Sequence, residues 1–447
     1  MDVTLLNSRD IFPIPVGTFF EKEDEACYMV YAPLANLFYL SRKEEIERLE
    51  KQLSEEKELA DPLLMKLLDR NAFKGMATEV SPDTFCTLHL LLNEKCNFGC
   101  RYCYSAKGRS TREMTEGQIE TMLEYFLSSE RKAVKDRTVM FMGGGEPTLS
   151  WRLLEHSVSY AERLAAENGI NLHLSLTTNG SLLDESRFEY LKTHNFTVQV
   201  SFEVLPDVQN LQRGQYDVVA ANVRKMTECG INNYIRATIT EANVDRIPEM
   251  VEHCHVHFPK VTKLSCQQVV DSDYFKTTEI VHDFFKRYSD SFRKGETLAE
   301  EYGITLRSSS SHLLNYSKRE RFCYNLVCLT PYGTLTTCPD VSSPVEPDYK
   351  DAVIAEIKDG ALKFDRDAFD RVSYGNIHTI GKCRGCYAKW NCGSGCPSSR
   401  RVYRPEIFDA VCDHYRNMLC HSLMTEIARK YKASTGRNMY EALKSQL

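Results

Sequence analysis

Short apolar stretches alternate with amphipathic ones through the middle of this chain. The apolar stretches predict strands at Thr87 to Leu92, Thr138 to Met142, Leu172 to Thr177, Thr197 to Phe202, Tyr234 to Thr240 and Lys263 to Val269. The amphipathic stretches predict helices at about Thr115 to Ser129, Ser150 to Asn168, Asp184 to His194, Tyr216 to Cys229 and Val244 to His257. This alternation predicts βαβ units, a parallel sheet and functional side chains at the carboxyl ends of its strands.

A different pattern precedes the first of these strands. Tyr28 to Tyr31 and Leu37 to Leu40 predict a hairpin. Ser41 is in a position to cap a charged helix from about Arg42 to Leu59, and a second helix is expected from Pro62 to Asn71. Residues 1–85 therefore predict a small α+β unit.

Size and composition limit the class of protein. The 447 residues exceed one ordinary domain, and 42% hydrophobic content is ample for packed cores. The net charge of -6 gives no reason to expect nucleic acid or a membrane as a partner. No apolar stretch of membrane-spanning length and no export signal is found, which predicts a soluble cytoplasmic protein. The 17 cysteines then favour metal or cluster binding over disulfides.

Three cysteines directly follow the first predicted strand. Cys96, Cys100 and Cys103 can face one point from a single loop. Thiolates select zinc or iron–sulfur clusters, and a structural zinc site would want a fourth ligand close by. The nearest further cysteine is Cys86, on the far side of the strand. A cubane held by three cysteines instead leaves one iron with an open position for a small chelating substrate.

The CxxxCxxC spacing, with Tyr102 before the last cysteine, resembles the signature of the radical S-adenosylmethionine (SAM) family. The resemblance implies an α/β fold with a partial (β/α)6 TIM-like barrel over residues 86–270. It also implies a 4Fe–4S cluster on the triplet with SAM on the open iron. One electron, supplied by a flavodoxin- or ferredoxin-type donor, would cleave SAM to a 5′-deoxyadenosyl radical that removes a substrate hydrogen. Such clusters imply an anaerobic or micro-aerobic host.

The resemblance also assigns SAM contacts. A glycine loop ending in Glu-Pro after the second strand would hold the amino group, strand ends would hold the ribose and methionyl parts, and an arginine would pair with the carboxylate. The expected contacts are Tyr102, Gly144, Gly145, Glu146, Thr177, Asn179, Ser201, Arg213 and Arg236. The family often has Ser-Leu-Asp-Gly after the fourth strand; this chain has Ser-Phe-Glu-Val there, which leaves Ser201 rather than Glu203 as the ribose candidate.

A second cysteine-rich unit follows a bridging segment at 271–320. Its cysteines are Cys323, Cys328, Cys338, Cys383, Cys386, Cys392, Cys396 and Cys412. Eight cysteines form two closed sets of four, as auxiliary clusters or as a pair of zinc ribbons. The pattern resembles the SPASM domain, here at 321–425, followed by a tail at 426–447. The resemblance implies two auxiliary 4Fe–4S clusters, the first on Cys323, Cys328, Cys338 and Cys396, the second on Cys383, Cys386, Cys392 and Cys412.

Together these resemblances imply a maturase that crosslinks a ribosomally made precursor peptide through a thioether, ether or carbon–carbon bond. The N-terminal unit faintly resembles a winged element that would bind the peptide's leader. A second hypothesis is an anaerobic sulfatase-type maturase, which oxidises serine or cysteine to formylglycine. That group has an aspartate base directly after a cysteine, whereas Pro339 separates Cys338 from the candidate base Asp340. A small-molecule radical SAM enzyme and a non-catalytic, zinc-stabilised peptide-binding scaffold also stay open on the sequence.

Overall fold

The N-terminal unit is a three-stranded antiparallel sheet with short helices. The computed structural model describes residues 4–17, 27–55, 61–70, 81–311, 318–323, 325–373 and 375–444. The elements are α1 (Leu5–Ser8), β1 (Phe12–Pro15), β2 (Cys27–Ala32), β3 (Leu37–Arg42), α2 (Lys43–Ser54) and α3 (Pro62–Leu67). The expected hairpin is confirmed as β2 and β3, with β1 on the other side of β2.

Two helix limits in this unit differ from the sequence prediction. Ser41 lies within β3, and α2 starts after Arg42 without a side-chain cap, so the predicted serine cap is wrong. The strand includes Ser41 because this residue pairs with Tyr28. Helix α3 ends at Leu67, and the predicted end at Asn71 lies outside the described residues.

Parallel strands and helices form the centre of the molecule. The strands are β4 (Thr87–Leu90), β5 (Asp136–Phe141), β6 (Asn171–Thr178), β7 (Thr197–Ser201), β8 (Asn232–Ile239), β9 (Lys263–Gln268) and β10 (Thr305–Arg307). The helices are α4 (Glu116–Phe126), α5 (Trp151–Asn168), α6 (Glu185–Thr193), α7 (Pro206–Gln212), α8 (Tyr216–Glu228), α9 (Ile247–His257) and α10 (Thr278–Glu301). All six predicted strands and the five helices between them are confirmed. The predicted bridging segment adds α10 and the parallel edge strand β10.

The C-terminal unit continues the same sheet. Its elements are β11 (Leu326–Leu329), β12 (Thr334–Thr336), α11 (Tyr349–Ala352), β13 (Val353–Lys358), β14 (Ala361–Phe364), α12 (Arg366–Ser373), α13 (Lys389–Cys392), α14 (Pro397–Val402), α15 (Pro405–Thr435) and α16 (Met439–Lys444). Strand β11 pairs in parallel with β4, and β12, β13 and β14 follow as an antiparallel meander. The result is one 11-stranded sheet in the order β10-β9-β8-β7-β6-β5-β4-β11-β12-β13-β14. Helix α15 runs unbroken across the boundary expected between residues 425 and 426.

The N-terminal sheet packs against the C-terminal unit. Phe12, Met29 and Tyr31 share a buried apolar cluster with Leu419 and Leu423 of α15. Among the described residues, no helix has both the length and the apolar character needed to cross a bilayer.

Candidate functional site

The cysteine triplet lines one cavity at the carboxyl end of β4. Cys96, Cys100 and Cys103 lie in its wall, and its volume is about 450 Å³. The strand brings them there because its carboxyl end meets those of β5 and β6 at one edge of the parallel sheet. Three thiols around one cavity form a donor set of the kind that holds an iron–sulfur cluster.

Two arginines donate hydrogen bonds to the sulfurs of this triplet. Arg109 Nη2 lies 3.1 Å from Cys103 Sγ, and Arg213 Nη1 lies 3.6 Å from Cys100 Sγ. Burial raises the pKa of the Cys100 thiol, whereas the Arg213 guanidinium lowers it. Both guanidinium groups offset part of the negative charge that a thiolate would carry, and at Cys100 the Arg213 guanidinium acts against the burial that favours the neutral thiol.

Glu203 connects three groups behind the triplet. Its side chain is fully buried, and Oε1 accepts hydrogen bonds from Tyr102 Oη and from Arg213 Nε, the latter at 2.7 Å. Oε2 accepts a hydrogen bond from the backbone N–H of Thr238 at 2.8 Å. The Arg213 guanidinium carbon lies 5.1 Å from the centre of the Tyr102 ring. Tyr102 and Arg213, both expected to contact SAM, are therefore held by Glu203.

The glycine loop after β5 packs against the loop after β4. The Gly145 N–H donates to Asn93 O at 2.8 Å, and the Glu146 N–H donates to Lys95 O at 2.6 Å. A Cβ on Gly145 would lie 1.8 Å from Lys95 O, and one on Gly144 would lie 2.6 Å from Asn93 O. These glycines are needed for the approach of two backbone segments, one of which leads directly into Cys96.

The Glu146 carboxylate is engaged by protein groups. Oε1 accepts from Thr148 N at 3.1 Å, Thr148 Oγ1 at 2.6 Å and Thr178 Oγ1 at 2.7 Å, and Oε2 accepts from Asn179 N at 2.7 Å. The side chain is buried. Glu146 therefore joins the glycine loop to the end of β6, beside the position expected for the SAM amino group.

Three of the expected SAM contacts lie on one face of the sheet at its carboxyl edge. Thr177 pairs in register with Gln199, and Ser201, two residues beyond Gln199, pairs with Arg236. Residues two apart along a strand share a face, so Thr177, Ser201 and Arg236 share one face. Asn179 follows the end of β6, where its backbone N–H donates to Glu146 Oε2. The hydroxyl, amide and guanidinium groups of these four residues are chemically suited to bind the polar parts of SAM.

The first predicted auxiliary set is brought together by β11, β12 and the start of α14. Burial is the main cause of the raised pKa of Cys323, Cys328 and Cys338, and in each case another thiolate of the set contributes. Cys396 raises the pKa of Cys323 and Cys338, and Cys323 raises that of Cys328. The four thiols are electrostatic neighbours despite their separation in sequence.

The second predicted set lies around α13 and α15. Burial raises the pKa of Cys383, Cys392 and Cys412, and the Cys386 thiolate raises each of them further. Cys412 acts in the same direction on Cys392. In the described part of the chain, no three Cys, His, Asp or Glu side chains meet as closely as ligands of a single metal ion.

Asp340 is half-buried between the barrel and the first set. Burial raises the pKa of its carboxyl, and a hydrogen bond from Ser398 and the charges of Arg236 and Arg401 lower it. Its charge in turn raises the pKa of Cys328. The candidate base therefore lies next to the auxiliary cysteines and within electrostatic reach of β8.

Sequence reasoning missed two residues of this site. Arg109 follows Cys103 in a polar loop and carries no pattern that distinguishes it from a surface arginine. On the sequence, Glu203, just after β7, is considered only as a ribose contact and set aside in favour of Ser201. The sequence does not predict its hydrogen bonds to Tyr102 and Arg213.

Comparison with known proteins identifies the class. The profile of the Radical SAM superfamily matches residues 90–254, which contain the triplet, the glycine loop and β5 to β8. The radical SAM cyclopropyl synthase TigE of Paramaledivibacter caminithermalis is 29% identical over an alignment of 132 residues, with 26% of each chain covered. This chain therefore spans about a quarter of that relative's length. Residues 90–254 therefore form a radical SAM domain.

Solved structures share the fold. Native anSMEcpe with bound AdoMet superposes with a TM-score of 0.58 at 16% identity, covering 76% of this chain and 99% of that one. Streptococcus suis SuiB bound to the precursor peptide SuiA gives 0.52 at 17% identity, covering 70% of this chain and 72% of that one. At these identities the likeness establishes the fold: β4 to β9 with their helices are the partial barrel of radical SAM proteins.

Proposed function

We propose that this chain is a radical SAM maturase that modifies a ribosomally synthesised peptide. The observation that carries the proposal is the single cavity lined by Cys96, Cys100 and Cys103, with guanidinium groups on two of their sulfurs. The three thiolates would hold a 4Fe–4S cluster. Bound together, the cluster and SAM would supply a 5′-deoxyadenosyl radical able to remove a hydrogen from an unactivated carbon.

The side chains around the triplet would bind SAM and orient it toward the cluster. Ser201 and Arg236, which pair across β7 and β8, would bind the polar parts of SAM. Glu146 would hold the glycine loop against the end of β6. Positioned groups of this kind lower the entropic cost of bringing reactants together. An external flavodoxin- or ferredoxin-type protein would supply the electron.

The C-terminal cysteines would hold two auxiliary 4Fe–4S clusters in a SPASM domain. The grouping of the thiols supports the interleaved assignment, in which Cys396 belongs with Cys323, Cys328 and Cys338. A closed cluster next to the substrate could accept an electron when the modified peptide is oxidised. Asp340, whose carboxyl pKa is raised by burial, would take the accompanying proton.

A precursor peptide with a leader is the proposed substrate. SuiB, which shares the fold, has been solved with its precursor peptide SuiA. The N-terminal sheet exposes β3 as an edge strand, to which an extended leader could add by β-augmentation. The expected product is a crosslink through a thioether, ether or carbon–carbon bond.

A sulfatase-type maturase is the second candidate. A serine-type anaerobic sulfatase-maturating enzyme of Klebsiella aerogenes, which is 24% identical over 134 residues and is covered over 33% of its length, supports it. Anaerobic assays with short precursor peptides encoded beside this gene, and with a sulfatase-motif peptide, separate the two. Mass spectrometry of a crosslinked precursor supports the first proposal, and formylglycine in the sulfatase peptide supports the second.

The class of chemistry is tested with anaerobically purified protein reconstituted with iron and sulfide. We expect about twelve iron and about twelve sulfide per chain, and 5′-deoxyadenosine when SAM and dithionite are added. Cys100→Ala should abolish the 5′-deoxyadenosine. Cys229→Ala is the matched control, because Cys229 ends α8 at the opposite edge of the sheet. Zinc in place of iron, with no 5′-deoxyadenosine, would overturn the proposal in favour of a binding scaffold. Full yield from Cys100→Ala would refute the role given to the triplet.

A further inference from the structure

Glu203 and Arg213 form a buried ion pair that ends on a sulfur of the cysteine triplet. The side chains are 0% and 8% exposed, respectively, and Arg213 bridges Glu203 Oε1 and Cys100 Sγ. The arrangement has a fixed geometry, because a guanidinium presents its N–H donors in a rigid fork.

The carboxylate is anchored independently of the arginine. Thr238 N donates to Oε2 at 2.8 Å, and the Glu203 N–H itself donates to Gln209 Oε1 at 2.9 Å. The next residue, Val204, is buried and has φ +68°, a conformation that is rare for a β-branched side chain. Strained backbone of this kind persists where the surroundings over-determine it, and it is concentrated at functional sites.

Tyr102 is a third member of this hydrogen-bonded group and contacts both Glu203 and Arg213. Its hydroxyl shares Glu203 Oε1 with Arg213, and its ring lies beneath the guanidinium. Tyr102 also lies between Cys100 and Cys103 in the sequence, so the same carboxylate positions the loop and the cation that contacts its sulfur.

We propose that the Glu203–Arg213 pair sets the reduction potential of the cluster held by Cys96, Cys100 and Cys103, with Glu203 as a positioning residue. This inference rests on the proposed function, since it requires a cluster at the triplet. Hydrogen bonds to cluster sulfurs and nearby charges determine reduction potentials. The Arg213 guanidinium favours the added electron, and the Glu203 carboxylate opposes it and keeps the guanidinium on Cys100.

The redox step is a one-electron reduction. An external donor is oxidised by one electron, the cluster gains that electron, and no bond forms or breaks. Removal of the cation and removal of the carboxylate should therefore shift the midpoint potential in opposite directions. A residue that acts only on folding would not produce that sign reversal.

The test is a redox titration of the reconstituted protein followed by electron paramagnetic resonance. The signal of the triplet is the one that disappears in Cys100→Ala. Arg213→Gln should lower the midpoint, with about a tenfold smaller reduction equilibrium constant, equal to about 59 mV for one electron. Glu203→Gln should raise it, because the glutamine Oε1 can still accept from Arg213 Nε while the opposing negative charge is lost. Arg101→Gln is the matched control, an exposed arginine of the same loop, and should leave it unchanged.

The outcomes separate this inference from the proposed function. If the wild-type protein binds no cluster at the triplet, the proposed function fails. If the cluster binds but the Arg213 and Glu203 variants leave its potential unchanged or shift it in the same direction, the inference alone is overturned. If the Glu203→Gln variant does not assemble a cluster, the midpoint potential of the Arg213→Lys variant tests the inference instead. Lysine keeps the charge but cannot bridge Glu203 and Cys100, so the midpoint should fall by less than in Arg213→Gln; an unchanged value refutes the inference.

Discussion

At the scale of single residues, the glycines of the loop after β5 are required by the packing of that loop against the cysteine loop. The resemblance to a family suggested that they make room for a ligand. The structure gives a nearer reason for Gly145, whose missing side chain lets the backbone reach Lys95 O. Since Lys95 directly precedes Cys96, this contact fixes the start of the cysteine loop.

Gly145→Ala should therefore disrupt the site although alanine is the smallest possible addition. Its Cβ would lie 1.8 Å from Lys95 O, which forces the two loops apart. We expect at least a tenfold loss of 5′-deoxyadenosine formation, measured by chromatography. Gly117→Ala is the control, because Gly117 lies in α4, does not line the cavity, and has nothing within 4 Å of the added Cβ. Equal activity of the two variants would contradict this account.

At the scale of elements, α15 joins parts of the protein that are distant in sequence. Cys412 faces the second cysteine set, His414 accepts or donates a hydrogen bond at 3.0 Å with Ser310, and Cys420 packs with the N-terminal sheet. A single long helix can do this because each turn advances along the helix axis, so successive turns contact different parts of the protein.

Two cysteines on this helix should respond differently to the same substitution. Cys412→Ala removes a proposed ligand and should lower the iron content by about four of twelve atoms per chain. Cys420→Ala, about two turns further along, removes a buried apolar sulfur and should leave the iron content unchanged. Iron and sulfide assays on anaerobically reconstituted protein distinguish them. Loss of iron in both variants would indicate that the helix, rather than ligation, is what the substitutions damage.

At the scale of the whole molecule, the N-terminal unit is bound to the C-terminal unit through polar as well as apolar contacts. Tyr31 Oη donates to Asn391 Oδ1 at 2.7 Å, and Lys389 Nζ lies 2.6 Å from Asp10 Oδ1. Asn391 and Lys389 belong to α13, which ends at Cys392. Truncation of the first 80 residues would therefore expose the surroundings of the second cysteine set as well as remove any leader site.

Tyr31→Phe tests this connection with a minimal change. Loss of the buried hydrogen bond to Asn391 should lower the free energy of unfolding by about 1–2 kcal/mol. Tyr39→Phe is the control, because its hydroxyl bonds Glu45 within the N-terminal unit and is only partly buried; we expect a change below about 0.5 kcal/mol. Anaerobic urea unfolding measures both. Equal effects would show that the interface hydroxyl has no special role.

Local pattern was sufficient for much of the fold. The strands β4 to β9 and their helices were predictable because buried parallel strands and amphipathic helices each impose their own period on the sequence. The grouping of Cys96, Cys100 and Cys103 around one cavity was predictable because the three cysteines lie within one loop. Helix α4 even carries its own start signal, a capping box between Thr115 and Gln118.

Residues that are close along the chain therefore specify the radical SAM barrel and the position of its cysteine loop, since both depend on local spacing. The assembled fold was needed to show that β11 joins β4, that Arg213 and Arg109 contact the triplet sulfurs, and that Glu203 holds Arg213 there. These contacts join residues whose separation carries no periodic signal. Their energy comes from burial and charge compensation, which exist only once the strands have assembled.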